Sequence, residues 1–243
     1  MRTRIAQAPI GSHLLREDSW IERTEALHRV MTPAAGDSVN EVVRATIPPD
    51  AVDATVDRVI ADFAAIGSTF KWVVAFDSSP EAAIAAALEA RGFERWDAVG
   101  MWAPSSLSIV APDVEVERVE GAGLAEYAEV SAEGWGADPE VFRRRFASAP
   151  DHFRFFVARV DGRAIGAAAT VNHPRDAYLT GAVVLPEARG RGAYKALLAA
   201  RLQLAAAEGR EAVVTQARAQ TSAPILERLG FTPAYRFRMF RSR

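Results

Sequence analysis

Gly181-Ala-Val-Val-Leu-Pro-Glu-Ala-Arg-Gly-Arg-Gly-Ala-Tyr-Lys-Ala-Leu-Leu198 decides the fold, because it reads as a strand that stops at a proline, turns through alternating Arg and Gly, and opens a helix. Glycines at 190 and 192 let the backbone turn with its N–H groups on one side. The helix that follows adds unpaired first-turn N–H groups and the positive end of its dipole. Arg189, Arg191 and Lys195 surround that concavity with positive charge, so the segment reads as a pyrophosphate site. The alternative is a surface turn that merely happens to be rich in Arg and Gly. Context weighs against it: Ala177 to Val184 has the small and β-branched residues of a strand, and Gly192 to Gly209 is an unbroken Ala/Leu-rich run closed by glycine. Neither the G-x-G-x-x-G of a dinucleotide fold nor the G-x-x-x-x-G-K of a nucleotide-triphosphate loop is present.

These residues resemble the GCN5-related N-acetyltransferases (GNAT), whose signature is R/Q-x-x-G-x-G/A after a strand and a proline. Arg189, Gly192 and Val184-Leu-Pro186 match; the sixth signature position falls on Tyr194, where the family usually has Gly or Ala. The resemblance continues through Glu211 to Ala217, a short strand, and Ser222-Ala-Pro-Ile-Leu-Glu-Arg-Leu-Gly-Phe231, similar to the family's last helix and its terminal Gly-Phe. It covers about half of the chain and implies an α/β fold with a mixed sheet, the acyl-CoA N-acyltransferase fold.

With 243 residues, 49% of them hydrophobic, the chain has material for two domains with real cores. Lys and Arg total 29 against 31 Asp and Glu, a formal net charge of -2, so no global basic field draws it to nucleic acid. The absence of cysteine excludes disulfides, thiolate nucleophiles and cysteine metal sites. Residues 1 to 10 carry charge but no sustained apolar run, and no stretch approaches a membrane span, so a cytoplasmic protein without membrane contact is expected.

A composition break at Ala103-Pro-Ser-Ser-Leu-Ser-Ile-Val-Ala-Pro-Asp113 marks a linker. Beyond it, Val114 to Val119 alternates like a strand, and Leu124 to Gly136 and Pro139 to Ala147 read as helices. Phe153 to Val160 and Ala164 to Val171 read as strands joined by Asp161-Gly162, and Tyr178 to Val184 as a third. Before the linker, Ser79-Pro to Gly92-Phe93 parallels Ser222 to Gly230-Phe231, each preceded by a short apolar strand and an alanine-rich helix. The halves read as diverged copies, 1–105 and 113–243, in tandem. Chance coincidence of common helix starts and stops is the alternative. The first copy lacks the loop: after Thr46-Ile-Pro-Pro49 comes Asp-Ala-Val-Asp, which can cap its own helix but repels phosphate. Residues before about 40, with Trp20, Leu27 and Val30, read as a helix with one apolar face.

The resemblance implies acetyl-CoA as co-substrate, transfer to the amine of a small molecule or peptide without covalent intermediate or metal, and a chain acting as monomer or homodimer. It assigns Ala182, Val183 and Val184 to the pantetheine arm, Arg189, Gly190, Arg191, Gly192, Ala193, Tyr194 and Lys195 to the pyrophosphate, and Ser222 to the coenzyme as well. The position where many members carry the general-acid tyrosine is Leu226, and the family's frequent asparagine falls near Ala219 or Gln220. Tyr194, Tyr178 and Glu133 are the candidates left for catalysis, with Asp138, Glu140 and His173 as further bases and Trp135 as a pocket wall; for each, a packing, capping or solvated role is the alternative. Glu187 is expected to face solvent or pair with an arginine. Two function classes remain open: an N-acyltransferase, and a non-catalytic acyl-CoA-binding regulatory protein.

Overall fold

The computed structural model describes residues 1–147 and 149–243. In chain order the elements are α1 (Arg2–Gln7), β1 (Trp20–Arg23), β2 (Leu27–Met31), β3 (Glu41–Ala45), α2 (Val52–Ala65), β4 (Lys71–Val74), α3 (Glu81–Ala90) and β5 (Glu94–Pro104). There follow β6 (Glu115–Val119), α4 (Gly123–Trp135), α5 (Pro139–Ala147), β7 (Phe153–Val160), β8 (Arg163–Asn172), β9 (Asp176–Val184), α6 (Ala193–Ala207), β10 (Ala212–Arg218), α7 (Ser222–Arg228) and β11 (Thr232–Arg241).

The chain divides into two compact units, one of Met1–Gly100, Ala217–Leu226 and Pro233–Arg243, the other of Met101–Gln216 and Glu227–Thr232. This differs from the halves expected at 1–105 and 113–243. The reason is strand exchange: β11 pairs antiparallel with β4, Arg238 opposite Val74 and Arg241 opposite Lys71, so most of the last strand of the second copy belongs to the unit built on the first.

In the first unit the strand order is β1-β2-β3-β4-β11, with β3 and β4 parallel and the other pairs antiparallel. Its core joins Val56, Val59 and Phe63 of α2 and Ile84 and Leu88 of α3 to Leu27, Val42, Trp72 and Phe240 of the strands. The Phe63 and Phe70 rings stack 4.1 Å apart within it. Leu27 and Val30 lie on β2 and Trp20 on β1, so the helix expected before residue 40 is a strand pair, with only α1 and the 3-10 turn Ala8–Gly11 helical. All residues of β2 are buried, which hides the alternation that marks a half-exposed strand.

In the second unit the order is β10-β9-β8-β7-β6, with β9 and β10 parallel and the rest antiparallel. Asp161 and Gly162, both at positive φ, turn β7 into β8 as the Asp-Gly pair requires. Tyr127 of α4 packs edge-on against Phe146 of α5 and Phe155 of β7, with centroids 4.9 and 4.7 Å away, which anchors the helix pair to the strands.

Candidate functional site

The β9 strand and the helix after it are joined as the sequence requires. Pro186–Ala188 form one 3-10 turn, Arg189 is extended, Gly190 and Gly192 take φ of +79 and +88, and α6 begins at Ala193. Any side chain at those two angles is strained, which explains both glycines. At Gly192 space is also closed, since a Cβ would stand 2.5 Å from Cγ of the linker residue Pro112; at Gly190 a Cβ would meet nothing. The first turn of α6 holds no acidic residue and its cap supplies no side-chain acceptor, so the leading N–H groups stay available to an anion.

Three cations stand around this turn. Arg189 is exposed, its Nε donating to the Val184 carbonyl at 3.4 Å, and Arg191 makes only a loose exposed pairing with Asp161 at 3.9 Å. Lys195 is half-buried in the first turn of the helix. Glu187, the carboxylate nearest in sequence, is taken up by Arg163 at 2.8 Å.

The strands β9 and β10 are laddered only from Asp176 opposite Ala212 to Tyr178 opposite Val214. Beyond that point the Thr215 hydroxyl donates to the Leu179 carbonyl at 2.9 Å, and Thr180 to Val184 continue without a β10 partner in the ladder. Ala182, Val183 and Val184 therefore occupy a splayed strand whose backbone on that side can receive an extended ligand arm. β9 also carries a bulge, where pairing with β8 jumps from Ala169 opposite Thr180 to Ala167 opposite Val183, and Gly181 within it takes φ of +61.

Sequence reasoning missed three residues around this bulge. The hydroxyl of buried Tyr127 lies 3.6 Å from where a Gly181 Cβ would be. Burial pushes the Tyr127 phenol up to about 12, against the opposing influences of Ser131, Arg145 and Arg201, so it stays protonated at neutral pH. Gly134 lets α4 sit directly on Val183, since a Cβ there would be 2.2 Å from a valine methyl. Arg201 is buried in α6, its Nε donating to Leu197 O at 3.1 Å and an Nη to Ala169 O at 3.3 Å. A glycine inside a strand pattern was the available signal for the bulge; Tyr127 and Gly134 read as ordinary helix-face residues.

The candidates of the sequence separate clearly. Tyr178 is buried in the laddered part of β9, before the splay. Tyr194, in the first turn of α6, is half-buried, its phenol raised by burial and drawn back by the charge of Arg201. His173 stands at the hairpin between β8 and β9, a strand length of about 25 Å from the glycine turn. Asp138 caps α5 through the Glu140 N–H at 2.8 Å, and Glu140 pairs with Arg143 at 2.8 Å. Glu133 and Trp135 are exposed on either side of Gly134, on the helix that covers Val183. Leu226 is buried, and Ser222 begins α7 in the segment that belongs to the first unit, whereas residues 182–195 belong to the second. Among the described residues no group of His, Asp and Glu could hold a metal, and no helix is long and apolar enough to cross a membrane.

A family model described as "Acetyltransferase (GNAT) family" matches residues 123–231, a span that contains α4, the bulged β9, the glycine turn and α6. Residues 123–231 are a GNAT domain. A functionally uncharacterised conserved protein of Staphylococcus epidermidis has a similar structure, with TM-score 0.70 at 12% identity over 94% of this chain and 95% of that one. So has a GCN5-related N-acetyltransferase of Kribbella flavida, with TM-score 0.68, 18% identity and coverage of 98% and 94%. A tandem GNAT protein from the clavulanic acid biosynthesis pathway gives TM-score 0.60, 17% identity and coverage of 98% and 87%. At these identities the likeness is one of fold, the acyl-CoA N-acyltransferase fold with two GNAT-like units in tandem. Comparison with curated proteins gives no match.

Proposed function

We propose that the chain transfers an acetyl group from acetyl-CoA directly to an amine of a small molecule or peptide, using the GNAT domain of its second copy. The observation that carries this reading is the conjunction of a splayed, bulged β9 with a cationic glycine turn and an uncapped helix start, all within one unit. Acetyl-CoA supplies an activated acyl thioester. Gly190 to Lys195 hold its pyrophosphate through backbone N–H groups and the helix dipole, with Arg189 and Arg191 adding charge-assisted contacts. Ala182 to Val184 orient the pantetheine arm by strand addition, and a backbone N–H near Val184 polarises the acyl carbonyl.

Catalysis is then chiefly positioning. The acceptor nitrogen forms the new C–N bond, the C–S bond breaks, and sulfur leaves as thiolate. An alkylamine titrates near about 10.4, so it must lose a proton before attack. Glu133, next to Gly134 on the helix covering Val183, is assigned that proton, directly or through water. With a buried leucine at position 226, no side chain is assigned to the thiolate, which takes its proton from solvent.

The buried Leu226 also favours a second reading, an acyl-CoA-binding regulatory protein without turnover. Release of free thiol from acetyl-CoA in the presence of a panel of amines separates the two. Acceptor-dependent release supports the transferase; saturable binding with no release across small amines and peptide amines supports the regulatory protein.

A further inference from the structure

The first unit carries a row of basic side chains that the transferase reading does not use. Arg23 on β1 is directly opposite His28 on β2, and His28 is directly opposite Arg44 on β3. Directly opposed residues of antiparallel strands point to the same side with Cβ atoms about 5 Å apart, so the three form one line across the sheet. Leu27, Met31 and Ala45 belong to the core with α2 and α3, which puts His28 and Arg44 on the other face.

The line is incompletely satisfied. His28 is only 3% exposed, and its Nε2 is buried without a hydrogen-bond partner. Among the described residues neither Arg23 nor Arg44 has a hydrogen-bond or ion-pair partner, in contrast to Arg29 on the opposite face, which is held by Glu22 and Asp62, each at 2.7 Å. The acidic groups nearby are few. Glu41 of β3 is already engaged by His13 at 3.0 Å and lies opposite Lys71 of β4. Asp77, after β4, feels the charge of Arg44 but is itself partly desolvated. Two guanidinium groups without partners thus flank a buried imidazole nitrogen that has none either.

We infer that the Arg23–His28–Arg44 row is a binding site for a small oxyanion, a carboxylate or a phosphate, seated over His28 between the two guanidinium groups. Arg23 lies exposed on β1, the terminal strand of the order, and His13, whose charge also acts on His28, is tied to Glu41. The charge distribution agrees: burial first, then Arg23, His13 and Arg44, holds the His28 imidazole down to about 4, a repulsion that a bound anion relieves. In the second copy the matching strands β7 and β8 bring Phe156 opposite Ala168 beside the Gly181 bulge, so the basic row is a property of the first copy alone.

The test uses the full chain carrying Arg189→Ala, which removes phosphate affinity at the glycine turn, and follows the His28 imidazole by NMR. Inorganic phosphate and succinate are titrated separately, so that the two anion classes are distinguished. Saturable shifts of the His28 resonances are expected with one of them, with its titration midpoint moving up on saturation. Adding Arg44→Gln should weaken that binding about tenfold or more, and Arg23→Gln, at an exposed position that does not threaten folding, should do the same to a smaller degree. No His28 response to either anion up to about 20 mM, well above the concentration for a millimolar site, overturns the assignment. So does binding that survives both substitutions.

Discussion

The two copies build the same corner and finish it differently. After β3, Pro49–Ala51 make a 3-10 turn and α2 starts at once at Val52; after β9, Pro186–Ala188 make the same turn, but Arg189 to Gly192 intervene before α6. The neighbouring strands differ as well. In the first copy the strand end is tied off, because Ser79 N–H donates to Ala45 O at 2.9 Å and Ile47 N–H to Ser79 O at 2.7 Å; in the second the ladder stops and the strands part. A ligand-binding corner needs unspent backbone groups as much as added charges. In the first copy the strand end is spent, and the start of α2, though it too lacks a side-chain cap, is acidic, with Asp53 held by Arg91 rather than capping the helix as Asp50-Ala-Val-Asp53 suggested.

Three tests sharpen the contrast, from the largest effect to the smallest. The first unit buries His28 neutral, its pKa lowered to about 4, while the unfolded chain has the ordinary value near 6.5. The unfolded state therefore binds the extra proton first, so stability is full above about pH 6.5 and is lost as pH falls toward 4. The loss is about 3 kcal/mol at most. Urea unfolding from pH 7 to pH 4 should show this decline in the wild type and a flatter curve in His28→Gln. An equally steep decline in the variant would assign the acid sensitivity elsewhere.

In the second unit, Gly134→Ala drives a Cβ into Val183 and should cost about 1–3 kcal/mol in thermal unfolding. Val183→Ala in the same chain should return part of that loss, because it removes the methyls that collide. Additive losses would mean that α4 does not rest on Val183. The smallest effect belongs to Arg91→Ala, which removes exposed ion pairs to Asp53 and Asp57 and should change the melting temperature little, and less still at high salt.

Much of the second copy was legible in sequence, because its signals are local. A proline, two glycines at special φ and a periodic Ala/Leu run specify a strand, a turn and a helix without reference to anything distant. The tandem repeat was legible for the same reason. The residues before 40 were not: β2 is buried on both faces, with Arg29 hidden among carboxylates, and that erases the period of two. The destination of β11 was also beyond reach, since its own residues do not record that its partner is β4. The bulge at Gly181 was visible only as a glycine inside a strand. Its consequence, the approach of Tyr127, arises from packing of α4 that no local pattern encodes.

The most direct test of the account is isothermal titration of the full chain with acetyl-CoA, repeated with Arg189→Ala plus Gly190→Asp. Position 190 is preferable to 192 because a side chain there meets no neighbour, whereas at 192 it would displace Pro112. Aspartate is strained at the positive φ of this position, but it is among the residues that adopt the left-handed region most readily, and it sets a carboxylate against the phosphate. One site per chain in the wild type, absent from the folded variant, is the predicted result. Two sites per chain, or affinity unchanged by the double substitution, would contradict the assignment of the coenzyme to the second copy's glycine turn.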